Sequence, residues 1–475
     1  MRKWLPYSDP TRMDVWTDVS GAIPTPNGTY RSAPGFYGTG SAVAGGSSTK
    51  NAFQGALPDG SFTNVAGGSQ RLYTWSAATF TDRSLGATDY SASTHWSFAQ
   101  YGIYTLATNG INQIQVRDAT GVAAFANLGG TPPTTAKYLV VQSNVVLAFN
   151  TNTGGQYWAA SDVGNHANWT TGEAASGPIN HRPGAITGAV AFRDEVIVFK
   201  ADSMYRMRYV GSPIYWTVEL ISDTHGAKGP GSIVNCGNFL AVLDRENAYL
   251  FDGSSFKQFD DDIRAYLYGQ SVSTPIAAQY FRAQETIYWN ILAAKIVAYN
   301  VRSDAWGKFD AQQPASEANT PTHILMTGSG LYDCMRSVTM IQVTNADPVL
   351  TSFPEDEVAG SANTALDGAV ETGLFGAYGQ TTLIDRVTPM LKPPSGGSSD
   401  PAAAAMTCTP SYYASPAGAP TARSAVACST AGEKRFDLIG SGAAAAWQKF
   451  RITFTNTPWE IDDVIVREKP AGVAP

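Results

Sequence analysis

Three adjacent carboxylates, Asp260-Asp261-Asp262, form the densest set of potential metal ligands in this chain. A calcium loop needs oxygens at alternating positions around a flexible turn, and the run DDDIRAYL lacks that spacing. Asp just ahead of Ile263–Tyr268 suits the start of a short helix instead. The five histidines, His95, His166, His181, His225 and His323, are scattered without HxH or HxxxH spacing, so each reads as a packed or surface imidazole. Cys236, Cys334, Cys408 and Cys428 form no CxxC pair, which leaves zinc unsupported. Cys408 and Cys428 could bridge one C-terminal loop, but free thiols are the preferred reading. No GxSxG nucleophile elbow occurs. Gly45-Gly46-Ser47-Ser48-Thr49-Lys50 lacks the glycine before the lysine and the hydroxyl after it that a phosphate loop needs, and reads as a flexible loop. Gly38-Thr39-Gly40 lacks the third glycine of a dinucleotide site. No residue is therefore assigned a catalytic, cofactor-binding or metal-binding role, no cofactor is expected, and the chain reads as a non-enzyme.

The elements that would position any site are strands. Residues Ile276–Tyr280, Thr286–Ile291 and Lys295–Val301 are short runs rich in Ile, Val, Tyr and Trp, and an aromatic tail, Trp306–Phe309, follows. Each is too short for an ordinary helix, so the four read as one antiparallel meander. The pattern recurs. A strand, a polar turn and then an aromatic lead to Phe80, Phe125, Trp169, Trp216, Phe259 and Trp306, spaced about 45 residues apart, as four-stranded propeller blades are. Upstream of the later aromatics lie near-continuous apolar runs, Leu139–Phe149, Val196–Phe199 and Phe239–Leu243. Continuous apolarity marks strands covered on both faces, the situation of inner blade strands. The pairs Tyr157-Trp158, Tyr215-Trp216 and Tyr288-Trp289 read as core rather than as sugar platforms.

Composition sets the outer bounds. The chain has 475 residues, 46 Gly, 27 Pro and only 15% charged residues, the profile of a turn-rich all-β protein. The formal net charge of −7 and the lack of basic runs make specific nucleic-acid binding unexpected. The N-terminus turns polar at once, without the apolar core of a secretion signal. No apolar stretch reaches the roughly 18 residues that span a bilayer, so synthesis and assembly in a cytoplasm are expected.

The expected fold is all-β: a β-propeller of six or seven four-stranded antiparallel blades with an additional small β-sandwich-like C-terminal domain. Residues 1–40 read as an extended N-terminal arm, 41–345 as the propeller, 346–380 as an exposed loop or insertion, and 381–475 as the sandwich-like domain. Lys449–Phe454 alternates strictly, as a half-buried strand should. Trp459–Glu468 reads as a second strand with Asp462-Asp463 at a bulge.

Against this frame, Asp14-Val15-Trp16-Thr17-Asp18 followed by Pro/Gly-rich loops resembles the opening of tail proteins from short-tailed bacteriophages. So do Trp96-Ser97-Phe98 with Thr108-Asn109-Gly110 and then Pro132-Pro133, Tyr299-Asn300 leading to Trp306, and the closing Phe450–Phe454 and Ile461–Arg467 strands. The family is the podovirus tail nozzle, tail tubular protein B-like. The likeness spans most of the chain as diffuse strand-and-turn patterns without an invariant motif. It implies a structural virion protein in a hexameric ring at the distal tail, docked on the tail adaptor protein below the portal and contacting fibres or spikes. Double-stranded DNA would pass transiently through the ring during ejection, without specific binding. An acidic wall repels phosphate, so Asp260–Asp262 or Glu355–Glu357 are expected to face the lumen. Two alternatives stay open. Ser161-Asp162-Val163-Gly164 with Trp169 resembles, out of register, the Asp-box turn of sialidase blades, so a propeller enzyme acting on glycans is one. A carbohydrate-binding module is the other.

Overall fold

The computed structural model describes residues 3–9, 11–33, 49–76, 79–87, 90–93, 95–269, 277–292, 295–310, 324–328, 338–343, 348–353, 368–376, 382–391, 405–429, 434–438, 445–455 and 459–470. Blade 1 comprises Thr49–Ala56, Phe62–Gly68, Leu72–Ser76 and Thr79–Asp82. Blade 2 comprises Ser97–Tyr101, Tyr104–Thr108, Gln115–Asp118 and Ala126–Asn127. Blade 3 is Ala136–Gln142, Val145–Thr151, Gly154–Ala160 and Ala175–Pro178, and blade 4 is Ile186–Phe192, Glu195–Lys200, Met204–Gly211 and Tyr215–Ser222. Blade 5 is Ile233–Asn235, Leu240–Leu243, Ala248–Phe251 and Phe256–Gln258. Blade 6 is Ala277–Phe281, Thr286–Leu292, Lys295–Asn300 and Ala305–Asp310. Blade 7 has three strands, Ile324–Gly328, Val338–Val343 and Pro348–Phe353.

Each blade is an antiparallel meander in chain order. The first strand of each lies against the first strand of the next, and that of blade 7 against that of blade 1, so the ring closes on seven blades. The aromatics that mark the repeat fall at the rim: Phe80, Trp216 and Trp306 in outermost strands, Phe125 and Phe259 beside theirs. Trp169 sits in the loop ahead of the last strand of blade 3. Second strands are covered on both sides, as their continuous apolarity requires: every residue of Glu195–Lys200 and Leu240–Leu243 is buried. The Leu139–Phe149 run is two strands, split at Ser143-Asn144, whose φ values of 52° and 58° build a left-handed hairpin turn. Hydropathy alone passes over that turn.

The domain limits differ from expectation. Residues 1–40 do not form a free arm among the described residues. Val15–Ser20 pairs with Gly368–Thr372, and Ala22–Pro24 and Tyr30–Ser32 form a hairpin whose second strand pairs with Glu460–Pro470. Lys3–Trp4 adds the parallel pairing of that first sheet. The physical reason is apolar: Trp4, Trp16, Val19, Ile23 and Tyr30 all demand burial. Nor is 346–380 a single exposed excursion, because Pro348–Phe353 belongs to blade 7 and Gly368–Thr372 to the sandwich.

The sandwich therefore draws on both ends of the chain. One sheet carries Gly368–Thr372, Trp447–Phe454 and Met406–Tyr413; the last two alternate buried and half-buried along most of their length. The other carries Thr382–Leu391 and Glu460–Pro470, with Asp462 the extra residue where the register slips. That second sheet is continuous with blade 6, because Ala22 pairs with Lys308. Gly307 permits the junction: a Cβ there would lie 2.5 Å from the Ala22 carbonyl oxygen.

Candidate functional site

First strands in a closed ring leave a space on the axis, and here it is a cavity of about 1260 Å³. Its described walls come from blades 1 to 6 and from the segments leading into them. Phe53 and Phe98 stack in the wall with ring centroids 5.9 Å apart. The only charged side chains in the described lining are Lys137, at the start of blade 3, and Lys228, just ahead of blade 5. Neither ammonium has a hydrogen-bond or ion-pair partner among the described residues, and burial holds that of Lys228 below its ordinary pKa.

His95 completes the polar wall. Its ring packs edge-on against Tyr138 at 5.7 Å. Burial first, and the neighbouring charge of Lys137 second, lower its pKa to about 4, so the imidazole is neutral at pH 7. Nε2 is shielded from solvent and has no protein partner. Tyr138 is likewise pushed up to about 12 by burial. The cavity thus presents two cations and aromatic walls, a set suited to binding an anion.

The residues weighed for chemistry from the sequence fall elsewhere. Asp260 is fully buried and pairs with Arg264 at 3.3 Å, while Asp261 meets the same guanidinium at 2.9 Å. These aspartates lead into the short helix Arg264–Gly269 on the sandwich side of blade 5. A buried Asp260 cannot face a lumen, which corrects that expectation for this residue; Asp261 and Asp262 are exposed. Glu355–Glu357, Gly38–Gly40 and His323 lie outside the described residues, while Thr49 and Lys50 of the glycine-rich run enter the first strand of blade 1.

Asp162 acts as a turn lock. Its carboxylate accepts from the Glu173 amide at 2.8 Å and from Asn168 Nδ2 at 3.0 Å. A Cβ on Gly172, which has φ 69°, would fall 2.4 Å from it. His166 packs on Tyr104, His181 near Tyr205 and His225 on Phe256, each on an aromatic ring of its own. Cys236, Cys408 and Cys428 are free, with burial raising each thiol, that of Cys236 to about 12. Trp158, Trp216 and Trp289 are buried core. Among the described residues no helix is long and apolar enough to cross a membrane.

Sequence inspection missed Lys137, Lys228 and His95 as a set. They share no local motif; only ring closure brings residues in, or just ahead of, several first strands to a common axis.

No family model and no curated protein matches this chain. Among solved structures it is similar to YCF48 from Cyanidioschyzon merolae, with 10% identity over 68% of this chain and 100% of that one, at a TM-score of 0.44. The computationally designed Ika8 protein is similar over 69% of this chain and 92% of that one, with 11% identity and a TM-score of 0.41. The extracellular domain of the hybrid two-component system BT4673 from B. thetaiotaomicron covers 75% of this chain and 44% of that one, with 9% identity and a TM-score of 0.45.

Proposed function

We propose that this chain is a structural virion protein of a short-tailed bacteriophage, a subunit of a hexameric tail nozzle. The ring would dock on the tail adaptor protein, carry fibres or spikes, and let DNA pass during ejection, after assembly in the host cytoplasm. The resemblance of Asp14–Asp18, Trp96–Phe98 and Phe450–Phe454 to that family motivates the reading. The structural observation that carries it is the outer hairpin of blade 4, where Val210, Ile214 and Leu220 stand 51%, 64% and 42% exposed. Val210 and Ile214 lie at the hairpin turn and Leu220 on the outermost strand, and exposed apolar side chains on an outer edge are what a neighbouring subunit would cover. Fusion of the propeller to the sandwich through one continuous sheet supports a rigid building block. The net charge of −7, repeated around a ring, disfavours retention of phosphate.

Solution mass tests this. A particle of about six times 50.4 kDa, formed alone or on the adaptor, is expected, and Ile214→Lys should lower its yield. A chain that stays monomeric with the portal adaptor present would sink the reading. The glycan-active alternative requires a carboxylate pair at its site, and the described lining of the axial cavity contains neither Asp nor Glu. Sugar release from host-surface polysaccharide would nevertheless favour it.

A further inference from the structure

Several cations in this chain are matched by carboxylates. Arg71 meets Asp82 at 2.6 Å, Lys308 meets Asp18 at 2.7 Å and Lys449 meets Glu371 at 2.5 Å. Lys200, buried without a carboxylate, instead donates to the Ile179 and Arg182 carbonyls at 2.6 Å each. Lys137 and Lys228 have no carboxylate partner among the described residues, and both line the same cavity. Lys137 is exposed, but Lys228 is half-buried, and keeping an ammonium partly desolvated without a counter-charge is costly. A half-buried ammonium beside a second, exposed one, in a cavity whose described lining holds no Asp or Glu, points to a counter-charge from outside.

We infer that the axial cavity is a binding site for a small anion carrying carboxylate or phosphate groups, held between Lys137 and Lys228. Gln279 offers an amide from blade 6. Phe53 and Phe98 add a stacked aromatic pair to the same wall. The cavity exceeds the roughly 300–1,000 Å³ of ordinary small-ligand sites, so it has room for such an anion. This inference does not rest on the nozzle reading and survives if no ring forms.

The test is calorimetric titration of the full chain with citrate and with pyrophosphate at low salt. Saturable binding of one equivalent is expected, weakened about tenfold by Lys137→Ala or Lys228→Ala alone and lost in the double variant. Added salt should weaken it further. Citrate alone would identify a carboxylate ligand and pyrophosphate alone a phosphate; either sustains the site. Because Lys228 is half-buried, Lys228→Gln serves as the second variant, and thermal unfolding checks that each variant folds. Absence of saturable binding by both probes overturns the inference. So does unchanged affinity in a double variant, Ala or Gln, that unfolds at the wild-type temperature.

Discussion

The interface between blades 3 and 4 and the joint between blade 6 and the sandwich are built from the same kinds of residue, but they close over very different lengths of chain. Between blades 3 and 4 the core is a slab. Val140, Leu147, Phe149 and Trp158 face Val196, Val198, Tyr205 and Trp216, all from two consecutive meanders. At the joint, one cluster takes Trp4, Trp16 and Tyr30 from one end, Trp289 and Trp306 from blade 6, and Phe454 and Trp459 from the other end. Phe259 stacks on Trp306 at 5.3 Å with an interplanar angle of 2°. Phe454 stacks on Trp459 at 4.3 Å. Tyr30 ties the parts together: its hydroxyl donates to the Trp306 carbonyl at 2.9 Å and accepts from the Trp4 amide at 3.0 Å. The slab can form as the chain emerges; the joint must wait for its last strand.

The largest expected effect separates these two modes directly. Deleting residues 1–33 removes Val15–Ser20, Ala22–Pro24 and Tyr30–Ser32, and with them the bridge between blade 6 and Glu460–Pro470. Hydrogen exchange should then show the sandwich strands unprotected while second strands of blades 3 and 4 keep slow exchange. Equal loss in both regions would mean that the joint and the slabs form one cooperative unit.

Single large-to-small changes sharpen the same contrast. Trp306→Ala and Phe149→Ala each remove a buried aromatic and should each cost about 3–5 kcal/mol. Their reach should differ. Trp306 also donates from Nε1 to the Phe259 carbonyl at 3.1 Å, so its loss should raise exchange in blades 5 and 6 and in the sandwich. Phe149 is confined to the blade 3–4 cluster, and its loss should raise exchange there alone.

The same contrast explains what could be read from the sequence. Ile276–Asp310 resolves into four strands near the expected limits because each strand and turn is written in adjacent residues. The alternation of Lys449–Phe454 likewise reports which face is buried, whatever covers it. The role of residues 1–40 was not legible, because pairing such as Trp16 with Thr372 leaves no mark on either segment. Proline and glycine between the short strands made the stretch look irregular. Asp260 illustrates a second limit: its triplet with Asp261 and Asp262 suggests one solvated run, yet chain geometry buries the first and exposes the other two. The axial lysines illustrate a third, since spacing along the chain cannot encode position around a ring.

The smallest effect concerns charge at the joint. Asp18 lies between Lys308 at 2.7 Å and Arg451 at 3.0 Å, and Arg451 also reaches Glu371 at 3.5 Å. Burial pushes the Asp18 carboxyl up, but the hydrogen bonds and charges of Lys308 and Arg451 outweigh it, so the folded-state pKa is below the ordinary 3.8. A depressed carboxylate contributes stability that is complete above its unfolded value and is lost as pH falls through the folded one. Asp18→Asn should therefore cost about 0.5–1 kcal/mol at pH 7, given that both partners are partly solvated. The difference from wild type should shrink as pH drops below the ordinary carboxylate range. Acid unfolding followed at the joint by Trp fluorescence checks both. Because Asp18 joins blade 6 to the first sandwich sheet through Lys308 and Arg451, the acid loss should appear first in the sandwich strands. A wild-type protein that loses blades 3 and 4 before the sandwich in acid would show that the slabs, not the joint, are the weaker closure.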